Sequence, residues 1–181
     1  MTPTIGTEKT TVQDPIIKYA DEIDWKVVPK EEALSLRKGE SGSLFYRVLE
    51  EKLLELNPGL VSRENVEDII HRMEAVRNNI EGNAEILSWL RGEQAIYDEN
   101  EKRRRNVTVV DFTCAGRNLF QVTDEWQHTN GRVTNRADIM FLINGIPVAI
   151  VETKSAKKAN GMEEALIQIR RYHRETPEML T

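Results

Sequence analysis

Asp138, Glu152 and Lys154 fall on two adjoining apolar runs within ADIMFLINGIPVAIVETK, residues Ala137 to Lys154. Burying an unpaired carboxylate is costly, so two of them beside a lysine point to a charged ligand between the strands. Carboxylate oxygens are hard donors, and the ion that suits them is a divalent cation such as Mg²⁺. Held by Asp138 and Glu152, it would polarise a phosphate and lower the pKa of a bound water, while Lys154 would stabilise charge at the phosphate or orient that water. The backbone carbonyl of Thr153, between the two side chains in sequence, offers one more oxygen. The set fits phosphodiester hydrolysis, with one metal ion or two.

Parity tests this reading. Glu152 and Lys154 are two apart and share a face of an extended strand. A two-residue turn at Asn144 and Gly145 would place Asp138 opposite Val151, with Glu152 on the wrong face. A three-residue loop of Asn144, Gly145 and Ile146 instead pairs Ile143 with Pro147 and sets Asp138 opposite Glu152. The expectation is therefore an odd-length loop or an equivalent bulge. An ordinary solvated hairpin also accommodates an Asp at a strand start and a Glu-x-Lys at a strand end. Apolar residues on both faces instead mark central strands covered by helices.

The spacing of Asp138, thirteen residues, Glu152, one residue and Lys154 resembles the PD-(D/E)xK nuclease motif. RADIMFLINGIPVAIVETKSA, followed by EALIQIRRYHRETPEML, is similar to the N-terminal nuclease domain of the restriction (R) subunit of type I restriction and modification enzymes. That family carries Gln-x-x-x-Tyr on the helix after the metal strands, matched by Gln168 and Tyr172. NLFQVTDEWQ, with Asn118 and Phe120, is similar to the lead-in strand. Ala137 stands where the family usually has proline, a position that contributes backbone shape and no ligand. The match is specific over roughly residues 107–181 and weak before that.

The resemblance implies an α/β restriction-endonuclease-like core, a central mixed sheet flanked by helices, that cleaves double-stranded DNA with Mg²⁺ or, as its substitute, Mn²⁺. It implies that Gln168 positions the DNA strand or a water and that Tyr172 contacts a phosphate or base. Nucleases of this superfamily often add an acidic residue from an upstream helix, here Glu50, Glu51 or Glu55. The family's R subunit continues into an ATP-driven translocase. This chain lacks a Gly-x-x-x-x-Gly-Lys-Thr loop, so the expectation is an excised module. ATP would serve only the motor of the parent subunit, and the modification and specificity subunits would be partners. Two competing classes are a catalytically silent module docking DNA or the motor, and a stand-alone resolvase or exonuclease of the same superfamily.

The 181 residues, 39% hydrophobic, suffice for one sizeable core. A single cysteine, Cys114, excludes a disulfide framework and suits a reducing cytoplasm. No membrane span or secretory signal is visible, and MTPTIGTEKTTVQD reads as a loose leader. A net charge of −5 argues against autonomous nucleic-acid binding. Basic runs nonetheless stand at Lys102 to Arg105, at Lys154, Lys157 and Lys158, and at Arg170, Arg171 and Arg174. The runs flanking the site, Lys157, Lys158, Arg170 and Arg171, read as phosphate contacts. His71, His128 and His173 lack ligand spacing.

Residues 1–100 read as leader and helical annex, and 101–181 as catalytic core, within one compact domain. Ile23 to Val28 suggests a short strand. Helices are expected over Ser43–Leu56, after Ser62, and over Asn83–Arg91. DENEKRRRN reads as a connector to the strands VTVVDFT, LFQVTDEW, DIMFLI and VAIVETK, and a last helix carries Gln168 and Tyr172.

Overall fold

The computed structural model describes residues 7–155 and 157–179. A π-helical stretch at Lys9–Gln13 runs into α1 (Asp14–Glu22), and the short β1 (Lys26–Val27) follows. Next come α2 (Lys30–Leu36), α3 (Tyr46–Leu56), α4 (Val66–Glu74) and α5 (Ile80–Leu90). A small hairpin of β2 (Ala95–Asp98) and β3 (Arg103–Asn106) precedes β4 (Phe120–Thr129), β5 (Thr134–Ile143), β6 (Ile146–Val151) and α6 (Gly161–Glu175).

The main sheet has the order β1-β4-β5-β6, with β1 parallel to β4 and the other pairs antiparallel. It is a mixed sheet with helices on both faces, as the sequence predicts. One face packs Val122 and Ile139 against Ala20 of α1, with Ile16 and Ile17 half-buried beside them. The other packs Trp126, Met140 and Leu142 against Phe45, Val48 and Tyr172. A third core holds Leu49, Leu53, Ile69, Met73 and Trp89.

The α3 helix joins these layers. Leu49 and Leu53 belong to the annex core while Val48 and the preceding Phe45 belong to the sheet core. Each fully buried Leu or Phe side chain contributes about 1.5–3 kcal/mol, so α3 fastens the annex to the sheet rather than trailing from it.

Three expectations change. The segment at residues 9–14 is helical, and Gln13 is buried, so it is not a loose leader; residues 1–6 lie outside the described residues. VTVVDFT forms no strand: Val107, Val109 and Val110 are buried, but Asn57 bonds the N–H and carbonyl of Thr108 in place of a ladder. DENEKRRRN is the tip and second strand of the β2–β3 hairpin. Asp98 stabilises that tip by accepting from the N–H groups of Asn100 and Glu101. Between β5 and β6 the expected parity is met by the equivalent bulge and not by an odd-length loop.

Candidate active site

Asn144 and Gly145 make a two-residue turn with φ of 52° and 83°, the doubly left-handed geometry for which Asn-Gly is favoured. The turn is enforced from outside. A Cβ on residue 145 would lie 2.7 Å from the Phe45 carbonyl, and the Gly145 carbonyl accepts the Phe45 N–H at 2.8 Å. Asn144 is fully buried; its Oδ1 accepts from the Leu119 N–H and its Nδ2 donates to the Val109 carbonyl.

Ile143 therefore pairs with Ile146 and Leu142 with Pro147, but Phe141 pairs with Ala149, which leaves Val148 as the extra residue of a bulge. Pro147 and the bulge occupy β6, an edge strand, where a missing N–H and an interrupted ladder are tolerated. Beyond the bulge Ile139 pairs with Val151, so the next step brings Asp138 opposite Glu152. One inserted residue thus restores the parity that the two-residue turn would have spoiled.

Asp138 is 6% exposed. Its Oδ2 accepts the Thr153 N–H at 2.7 Å and the Thr153 hydroxyl at 2.9 Å. The Glu152 side chain is 1% exposed. Its Oε1 accepts from the Tyr172 hydroxyl at 2.8 Å, whereas Oε2 is buried with no hydrogen-bond partner. Lys154 Nζ lies 3.5 Å from that oxygen, yet it donates to the Thr153 carbonyl at 2.8 Å. The lysine thus supplies charge without satisfying the lone pairs. Burial pushes the Glu152 carboxyl above its ordinary pKa; the Tyr172 hydrogen bond opposes this, the Asp138 charge adds to it, and Lys154 opposes it.

Tyr172 is fully buried. Its hydroxyl accepts from Gln168 Nε2 at 2.6 Å and shares its proton between Glu152 Oε1 and the Arg136 carbonyl, the latter at 2.5 Å. Burial, reinforced by Glu152, raises its pKa, so the hydroxyl keeps its proton and acts as a donor. The expected contact of Tyr172 with a phosphate or base finds no exposed surface; the Gln168–Tyr172 pair instead orients Glu152.

These residues fit a divalent cation. A buried carboxylate oxygen without a donor is the feature that a cation would satisfy. Among the described residues, no three His, Cys, Asp or Glu side chains form a metal-holding group. The protein ligands would thus be Asp138, Glu152 and the second lone pair of the Thr153 carbonyl, with water completing the shell, a pattern Mg²⁺ accepts.

A family model described as type I restriction enzyme R protein N terminus matches residues 5–180. The chain belongs to this family. It is 27% identical over 174 residues to a Methanocaldococcus jannaschii protein named for the type I restriction enzyme MjaVIIIP endonuclease subunit, a match covering 93% of this chain and 16% of that protein. The MjaVIIP counterpart from the same organism is 32% identical over 88 residues, covering 49% of this chain and 8% of the relative. The Escherichia coli type I restriction enzyme EcoprrI endonuclease subunit is 32% identical over 81 residues, covering 45% and 24% respectively. The chain thus spans less than a quarter of the length of these relatives.

In this type I R-protein N-terminal domain the other candidates disperse. Lys157 and Arg170 are exposed, Lys158 is bound to Glu164 at 2.5 Å, and Arg171 pairs with Glu175 at 3.6 Å. Glu50 lines a cavity with Arg47 and Arg63, Glu51 pairs with Arg47 and Glu55 with Lys52. None of the three is bonded to the Asp138–Glu152 pair. The acid that does approach is Glu8, unanticipated from the sequence, whose carboxylate accepts the Ser155 N–H at 2.9 Å. Gln13 is also new, with Nε2 3.1 Å from Thr153 Oγ1. Asp111 caps a turn through the N–H groups of Thr113 and Cys114. Among the described residues no helix is long and apolar enough to cross a membrane.

Proposed function

We propose that this chain is the PD-(D/E)xK nuclease domain of a cytoplasmic type I restriction enzyme R subunit, hydrolysing double-stranded DNA with Mg²⁺, for which Mn²⁺ can substitute. The observation that carries the reading is the bulge-dependent alignment of Asp138 with Glu152, with the Glu152 Oε2 buried and undonated. Asp138 and Glu152 would hold the cation, whose contribution when bound is Lewis acidity toward the scissile phosphate and water. Lys154 brings its ammonium to the rim of the pair and stabilises charge developing on the phosphate. Tyr172 keeps Glu152 aimed by donating to its other oxygen, and Gln168 fixes the Tyr172 hydroxyl. Lys157 and Arg170 are exposed and free to meet phosphates of a bound duplex. The motor part of the same subunit would supply the ATP-dependent steps and, with the modification and specificity subunits of the parent enzyme, most of the DNA affinity.

The test is made in the full-length R subunit assembled with its modification and specificity subunits. Asp138→Asn, Glu152→Ala and Lys154→Ala should each abolish plasmid cleavage while ATP hydrolysis persists. Retained cleavage by Glu152→Ala would end the catalytic assignment and favour a silent docking module.

A further inference from the structure

β6 ends at Val151, so Glu152 and Lys154 lie on an extension that has no ladder partner. The extension must be held by other means if its side chains are to converge. Asp138 fixes it from one side through the Thr153 N–H and hydroxyl. From the other side the bonds come from the segment that precedes α1. Gln13, 6% exposed, reaches Thr153 Oγ1 at 3.1 Å. Glu8 Oε1 lies 3.3 Å from the same hydroxyl and its Oε2 accepts the Ser155 N–H at 2.9 Å.

Residues 153 and 155 are thus clamped on either side of Lys154, and residue 153 follows Glu152 directly. We infer that Glu8 and Gln13 are positioning residues of the cation site: the N-terminal segment holds the post-β6 extension so that Glu152 and Lys154 face Asp138. The inference rests on the nuclease reading and adds to it a part played by a segment about 140 residues distant in sequence.

Glu8 acts here as a hydrogen-bond acceptor and not as a ligand. Thr153 has one hydroxyl proton, which goes to the nearer acceptor, Asp138 at 2.9 Å rather than Glu8 at 3.3 Å. Glu8 then matters chiefly through the Ser155 N–H. A glutamine retains that acceptor, and its amide can donate to the Thr153 hydroxyl oxygen. Glu8→Gln should therefore preserve the clamp, and Glu8→Ala should release it.

The experiment titrates Mn²⁺ into the 181-residue chain by electron paramagnetic resonance, with thermal unfolding of each variant run alongside. Partners that orient metal ligands are typically worth 10–100-fold in affinity. Glu8→Ala and Gln13→Ala should therefore weaken Mn²⁺ by about tenfold or more, while Glu8→Gln stays within about threefold of wild type. Asp138→Ala should eliminate the site. Wild-type affinity in Glu8→Ala, with binding lost in Asp138→Ala, would overturn the positioning role and leave the nuclease reading standing. Equal weakening by Glu8→Gln and Glu8→Ala would also overturn the role, because charge rather than the clamp would then be responsible. Mn²⁺ binding that survives Asp138→Ala, or no binding by wild type, would overturn both.

Discussion

Tyr172→Phe removes one oxygen from a fully buried ring and leaves the packing of α6 on Trp126, Met140 and Leu142 in place. The oxygen lost accepts from Gln168 at 2.6 Å and shares its one proton between Glu152 Oε1 at 2.8 Å and the Arg136 carbonyl at 2.5 Å, with the charged carboxylate the stronger acceptor. A hydrogen bond to a charged group contributes about 1.5–3 kcal/mol, and Gln168, at the edge of the site, can turn to water, so the net loss should be about 2 kcal/mol at neutral pH. For a chain of 181 residues that corresponds to a fall in Tm of about 4–8 °C. The Tyr172 bond is the largest influence holding the Glu152 pKa down against burial. Without it the pKa rises further, so the destabilisation is present above the folded-state pKa of Glu152 and shrinks as the carboxyl protonates below it. Urea unfolding of the metal-free chain across pH 4 to 8, in a cycle with Glu152→Gln, should give a coupling of about 1 kcal/mol or more. Strict additivity, or a loss independent of pH, would refute the reasoning.

Glu152→Gln by itself should stabilise the metal-free protein at neutral pH. Its folded pKa is raised, so wild-type stability falls as pH climbs from the ordinary carboxyl value through the folded one, and the variant should lack that fall; parallel Tm–pH curves would contradict this. Asn144→Ala removes a fully buried side chain that serves Leu119, Val109 and Asn118 from a left-handed φ of 52°. It should cost about 3 kcal/mol in urea unfolding, and a loss under about 1 kcal/mol would show the network to be dispensable. With a net charge of −5, the isolated chain should bind duplex DNA weakly, and fluorescence anisotropy should show that binding disappearing between about 50 and 200 mM salt; tight binding at the higher salt would favour a self-sufficient nuclease.

The β5–β6 hairpin was legible because parity and the Asn-Gly pair constrain it from within a few residues. The position of the bulge was not, since either Pro147 or Val148 could absorb the extra residue and only packing against Phe45 selects the tight turn. VTVVDFT alternates like a strand, yet its valines are buried along irregular backbone that Asn57, Asn118 and Asn144 satisfy. Side-chain amides replacing a ladder leave no local pattern to read. Glu8 and Gln13 were invisible for a different reason: their partners lie across the fold, and a polar N-terminal segment carries no periodicity that would point to them. Gln168 and Tyr172 share a helix face, which spacing alone shows, but the burial that turns Tyr172 inward depends on how α6 meets the sheet.

Asp138 joins fold and chemistry in one side chain. The ladder opposite it is broken on both sides: β6 has ended at Val151. On β4, Glu125 adopts a φ of 49° and turns toward Lys30 and Arg136. With neighbouring backbone withdrawn, Oδ2 of Asp138 takes the part of a ladder carbonyl by accepting the Thr153 N–H. An amide oxygen can do the same, so Asp138→Asn retains the bond that continues β6 while removing the negative charge that would draw a cation. Alanine removes both. The asparagine variant is therefore the one whose loss of cleavage reports on charge, and the difference between the two measures how far the sheet depends on a residue placed for chemistry.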